Sequence, residues 1–180
     1  MPNEQNTSSG FSRRTFIAGA SAAAASWTVM KPELVRGYAA NAKVNIGITG
    51  CGGRGSWITN LFKDHGGYHI AAAGDYFQDR VDVLGEKFGV KPENRFTGLA
   101  NYRRMLERDL EAQGLETPPA VPPEQAAAGA AAGCHVEVAK PIAGDVPGCK
   151  ASEQSGKNAT ADGKCFLIDV QTRADEFYIE

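Results

Sequence analysis

A chain of 180 residues with 42% hydrophobic and 22% charged content lies in the composition range of globular proteins and outside that of disordered ones. Its 19 basic and 21 acidic residues leave a formal net charge of −2. No run of lysine or arginine is available to displace counterions from a phosphate backbone, so nucleic acid is excluded as a main partner and a small ligand or another protein remains.

The N-terminus reads as a targeting segment. Ser12-Arg13-Arg14-Thr15-Phe16-Ile17 places an arginine pair ahead of an uncharged, alanine-rich apolar stretch from Ile17 to Met30, and Ala40-Asn41-Ala42 supplies small residues at a cleavage position. The stretch is too short for a membrane span, so stable membrane insertion is not expected. Residues 1–42 are expected to be a twin-arginine export signal, which implies a periplasmic or extracytoplasmic location and a mature domain over 43–180. A core or amphipathic helix over 17–30 is the alternative.

From Lys43 onward short β-type runs alternate with helical ones, the pattern of a parallel sheet with crossover helices. Val44–Ile48 is a first strand, followed by a glycine-rich turn and a helix striped by Trp57, Ile58, Leu61 and Phe62. Tyr68–Gly74 is a second strand, Val81, Leu84 and Phe88 mark a second helix, and Arg95–Gly98 is a short third strand before a helix carrying Tyr102, Met105 and Leu106. Strands are further predicted at Ala112–Glu116, Cys134–Ala139 and Cys165–Val170, with helices at Pro123–Ala132 and Gly148–Ala161. The expected fold class is α/β, a doubly wound, mostly parallel Rossmann sheet. Large apolar residues number 21 between Lys43 and Arg108 but only 7 between Asp109 and Lys164, so the second half is expected to build a weaker core. Gln113-Gly114 also interrupts what a central parallel strand normally fills with β-branched residues. Asp175–Glu180 reads as the opening turn of a further helix.

Gly50-Cys51-Gly52-Gly53-Arg54-Gly55 contains G-x-G-x-x-G at Gly50, Gly52 and Gly55, between a predicted strand and a predicted helix. The first glycine permits the tight turn, the second admits a pyrophosphate to the backbone, and the third allows close helix–strand packing. The whole segment is therefore a candidate dinucleotide cradle. Asp75 follows Gly50 by 25 residues at the end of the second strand, where a carboxylate accepts hydrogen bonds from an adenosine ribose and repels a 2′-phosphate. That favours NAD over NADP, with Arg80 keeping NADP open; Asp75 as a cap for the following helix is the other reading.

Three segments together, Ile46 through Gly55, then Glu116-Thr117-Pro118, then Ala132 through Pro141 (Ala-Gly-Cys-His-Val-Glu-Val-Ala-Lys-Pro), resemble the N-terminal domain of the glucose-fructose oxidoreductase, inositol dehydrogenase and rhizopine-catabolism (Gfo/Idh/MocA) family. The resemblance spans nearly all of 43–180. It implies that Thr117 and Pro118 border the cofactor cleft and that Lys140, with Pro141, stands beside nicotinamide and substrate as a catalytic residue. Two positions depart from the pattern: Ala139 where glutamate is usual, and Pro122 where a histidine commonly follows the Thr-Pro turn. The resemblance implies that the family's substrate domain would come after Glu180.

The resulting expectation is the NAD(H)-binding domain of an exported oxidoreductase acting on a sugar- or polyol-type CH–OH group. A small sugar-like substrate is expected only with a second domain, and a homo-oligomer is compatible with the sequence. The alternative is a non-catalytic dinucleotide-binding module or a regulatory protein that depends on a partner. Cys51, Cys134, Cys149 and Cys165 match no zinc spacing and are expected to be free thiols, and His65, His69 and His135 have no partner at ligand spacing, so no metal site is assigned.

Overall fold

The computed structural model describes residues 43–173; the export-signal reading of 1–42 and the helix expected from Asp175 fall outside them. The described chain runs β1 (Val44–Thr49), α1 (Gly53–His65), β2 (Tyr68–Asp75), α2 (Gln78–Phe88), a 3-10 turn at Pro92–Asn94, β3 (Arg95–Thr97) and α3 (Asn101–Leu106). It continues with β4 (Ala112–Leu115), α4 (Pro122–Ala131), β5 (His135–Ala139), α5 (Val146–Ala161), β6 (Phe166–Asp169) and a second 3-10 turn at Gln171–Arg173. The strands form one six-stranded sheet in the order β3-β2-β1-β4-β5-β6, and every pairing is parallel. This is the doubly wound Rossmann arrangement, with the strand order reversing between β1 and β4.

Side-chain alternation assigns the two faces. Ile46, Ile48 and Ile70 point to one face, where Val81 and Leu84 of α2 and Phe62 of α1 pack on them. Gly47 faces the opposite way, where a Cβ would meet Met105 of α3, and Leu115, Val136 and Val138 meet Ala126 of α4 on that same side. Helices α3, α4 and α5 therefore cover one face and α1 and α2 cover β1 to β3 on the other. Over β4 to β6 that second face carries no helix of the described residues, and Leu167 of β6 is 55% exposed.

The second half packs differently from the expectation of a merely weaker core. Ala126, Gly129 and Ala130 of α4 and Ser152, Ser155 and Ala159 of α5 are all buried, so the helices gain contact by bringing small side chains close. Gln113 is wholly buried in central β4, and a Cβ on Gly129 would lie 2.1 Å from its Oε1, so the glycine makes room for a long polar side chain where an aliphatic one is normal. Neither polar atom of that carboxamide has a hydrogen-bond partner. Gly114 likewise admits Ile48 from β1, 3.0 Å from the position of an added Cβ.

Element boundaries shift in explicable ways. Helix α5 starts at Val146 and not at Gly148, because Asp145 caps it by accepting from the Gly148 N–H at 2.7 Å, and Pro147 is tolerated in the first turn where no amide bond is needed. Strand β3 stops at Thr97, since Gly98 turns at φ +91. The sheet is entirely parallel where a mostly parallel one was expected. No helix of the described residues is long and apolar enough to cross a membrane.

Candidate functional site

At the C-terminal ends of β1, β2 and β4 lies a cleft of about 640 Å³, lined among others by Gly50, Gly52, Asp75, Phe77, Arg80 and Thr117. Each glycine of the motif has a distinct task. Gly50 turns at φ +97, and a Cβ there would sit 2.4 Å from the Glu116 carbonyl oxygen, so the loop lies directly against the end of β4. A Cβ on Gly55 would sit 1.8 Å from the Gly50 carbonyl oxygen, which closes helix α1 onto the loop. Gly52 differs: its backbone is extended (φ −70, ψ −166), so any residue could adopt it, and a Cβ would meet only the Arg80 guanidinium at 3.8 Å. The space beside Gly52 is therefore open for a ligand and not used by the fold.

Gly52 is also the N-cap of α1, with no side-chain hydrogen bond at the cap and no acidic residue in the first turn. The amides of the first turn and the positive end of the helix dipole are thus left to an anion. Asp75, 6% exposed, accepts from the Cys51 N–H through Oδ2 at 2.7 Å and from the Phe77 N–H through Oδ1 at 3.0 Å. The carboxylate braces the glycine-rich loop and shapes the turn ahead of α2, whose N-cap is Phe77 and not Asp75. The Cys51 thiol, beneath the loop, is pushed up to about 12 by burial first and by the Asp75 charge second, so it stays protonated and inert.

Sequence reasoning missed several members of the wall. Tyr76, Phe77 and Leu99 form one rim together with Arg80, which the sequence marks as the residue that keeps NADP open; its guanidinium lies 4.8 Å from the centre of the Phe77 ring. Asn101 and Gln125 are buried carboxamides deeper in, Gln125 accepting from the Thr117 hydroxyl at 2.8 Å and Asn101 donating to the Gly98 carbonyl at 2.6 Å. Gly74 is the trace Asn101 leaves in the sequence, since a Cβ there would collide with its Oδ1 at 2.4 Å.

Of the residues singled out from the sequence, Gly50, Gly52, Asp75, Thr117 and Pro118 line this cleft together and Cys51 lies under it. Gly53 follows in α1 with open space around it. Arg54 turns to the helix-free sheet face, pairing with Glu116 at 2.8 Å and with Asp169. Lys140 stands exposed at the end of β5, joined to Pro141 by a cis peptide bond, and neither lines the cleft. The four cysteines are unpaired.

No family model matches the sequence, and no curated protein matches it. Solved structures do match the fold. The WlbA dehydrogenase from Chromobacterium violaceum, solved with NADH and UDP-GlcNAcA, aligns with a TM-score of 0.65 at 21% identity over 77% of this chain and 38% of that one. The apo scyllo-inositol dehydrogenase from Lactobacillus casei aligns with a TM-score of 0.63 at 22% identity over 75% of this chain and 39% of its own. KijD10, a 3-ketoreductase from Actinomadura kijaniata solved with NADP, gives 0.63 at 22% identity over 76% and 41%. At such identities the likeness establishes the fold. The chain spans about two-fifths of the length of these neighbours.

Proposed function

We propose that residues 43–180 are the nicotinamide-dinucleotide-binding domain of an oxidoreductase that acts on a sugar- or polyol-type CH–OH group. The observation that carries this reading is Gly52: an uncapped helix N-terminus, open space where its side chain would be, and a buried carboxylate bracing the loop beside it. A pyrophosphate fits there, held by first-turn amides, with the adenosine directed toward Asp75, Phe77 and Arg80. NAD(H) is preferred, because the buried Asp75 carboxylate opposes a 2′-phosphate; Arg80, at the rim, is the group that would meet one in NADP(H). When bound, the dinucleotide supplies the hydride chemistry. The neighbours of known structure include chains bound to NADH and NADP, which supports the same class of ligand here.

The chain's own contribution is binding and orientation. Thr117 and Pro118 close the β4 side, and Gln125 sets the direction of the Thr117 hydroxyl. Substrate turnover is proposed to need a second domain, since the matched region makes up only about two-fifths of each neighbour, and Lys140 is the proposed proton-handling residue that such a domain would enclose. The test of the reading is titration with NADH, followed by its fluorescence. Gly52→Val places two methyl groups where the pyrophosphate lies without straining the backbone, and is expected to weaken binding by about a hundredfold or more, equivalent to about 2.7 kcal/mol. A change at His69, which is exposed and bonded to Asn45 at 3.0 Å, should leave affinity untouched. Equal affinity in both variants would remove the case for a phosphate cradle.

Export by the twin-arginine route is part of the same proposal, supported by the order of arginine pair, apolar run and small-residue cleavage position. Replacing Arg13 and Arg14 with lysine is expected to hold the precursor in the cytoplasm on cell fractionation. Undiminished export of that variant would argue for a general secretory signal or for none.

A further inference from the structure

On the sheet face without a helix, three carboxyl groups converge on one guanidinium. Glu116 follows the end of β4, Glu137 is the third residue of β5 and Asp169 ends β6, and one carboxyl oxygen from each lies within 4.8 Å of the other two. Arg54, from the first turn of α1, pairs with Glu116 and Asp169. Both oxygens of Glu137 and both of Glu116 are buried without a hydrogen-bond partner, and Glu116 is held by its ion pair with Arg54. A third anion in such a place is costly unless it takes a proton.

The network is mechanically joined to the cleft. Arg54 lies between Gly53 and Gly55 in the turn whose amides face the ligand, and Gly55 and Gly50 are packed without space for a methyl group. The Glu116 carbonyl is the surface against which Gly50 rests. A shift of either partner therefore reaches the loop directly. We propose that Glu137 is a positioning residue for the glycine-rich loop: its neutral carboxyl leaves Arg54 bonded to Glu116 and Asp169, and its ionisation draws the guanidinium away from that pair and weakens dinucleotide binding. This rests on the reading of the cleft as a dinucleotide site.

The charge balance sets the direction. Burial is the main cause that pushes Glu137 up to about 8, the charges of Glu116 and Asp169 add to it, and Arg54 opposes it; the Leu115 amide also opposes it, without reaching hydrogen-bond geometry. Other titratable groups on this face are His65 of α1, Tyr68 at the start of β2, His135 of β5 and Cys165 before β6. Because the folded value lies above the ordinary carboxylate range, the contribution of Glu137 to stability is complete at low pH and is lost as pH rises through about 8. Ionisation also adds a negative charge to the network that includes Arg54 of the first turn of α1, acting against an anionic ligand at that helix end in the same direction.

The experiment is NADH titration of the full chain between pH 7 and 9.5, for wild type and Glu137→Gln. In the wild type Kd is expected to rise about tenfold with a midpoint near 8, an effect of one pKa unit in size. Glu137→Gln, a permanent mimic of the neutral acid, is expected to keep the wild-type affinity of pH 7 across the range and to be the more heat-stable of the two at pH 9. Glu137→Met repeats the comparison in a second form that cannot titrate, should the glutamine variant fold poorly. Superimposable pH profiles in wild type and a folded variant would overturn the role of Glu137 while leaving the dinucleotide site intact. Absence of NADH binding to the wild type at pH 7 would instead overturn the reading of the cleft, and this coupling with it.

Discussion

Gly55→Ala is expected to cost about 3 kcal/mol of stability and to lower the melting temperature by about 10 °C, the upper end of what one added methyl does in a packed interior. The reason is geometric. The added carbon would stand 1.8 Å from the Gly50 carbonyl oxygen, which is backbone and has no rotamer to give. Gly50 has little room to retreat, because the Glu116 carbonyl occupies the space where its own Cβ would stand. Relief therefore requires α1 to lift from the loop, taking with it Ile58, which is buried, and Phe62, which packs on the β1–β2 core. The contrast with Gly52→Val is the useful measurement: thermal melts should show that variant folded near the wild-type temperature and Gly55→Ala well below it. If the two melted together, the third glycine of the motif would not be the packing residue that the geometry makes it.

Leu115→Ala is expected to cost about 2 to 5 kcal/mol, the range for truncating a fully buried leucine, out of a total of roughly 5 to 15. Leu115 is wholly buried and is the one large aliphatic side chain of β4, where it holds together Ala126, Val136 and Val138. The β1–β2–α2 core has Ile46, Ile48, Val81 and Leu84 to share a loss among them; this half does not. Hydrogen exchange followed by mass spectrometry should therefore show the variant losing protection in α4, β5, α5 and β6 while β1 and β2 keep theirs. In the wild type the same region is expected to exchange faster than residues 43–108, and NAD, by binding only the ordered state, is expected to narrow the difference. Uniform protection without cofactor would show that close packing of alanine, serine and glycine between α4 and α5 stabilises this half as well as aliphatic bulk stabilises the other.

These expectations come from two kinds of information. The order of strands and helices, the parallel sheet and the glycine-rich loop were legible in the sequence, because each depends on residues near one another in the chain: hydrophobic period, turn-forming glycines and spacing of a few positions. The weaker aliphatic content of the second half was legible too, but how that space is filled was not, since Gln113 over Gly129 is visible only when β4 lies beside α4. Asp75 could be located from spacing, yet its hydrogen bonds to Cys51 and Phe77 depend on how the loop folds back over β2. Arg54 was assigned to the cradle from its place in the motif, and its side chain leaves by the other face. It meets Asp169 across 115 positions of sequence, a distance over which local pattern says nothing. Strand order and register decide that meeting: parallel pairing sets Glu137 level with Gly114 and Leu167, two residues before Glu116 and Asp169, and the two-residue period of each strand turns all three to the face where Arg54 arrives.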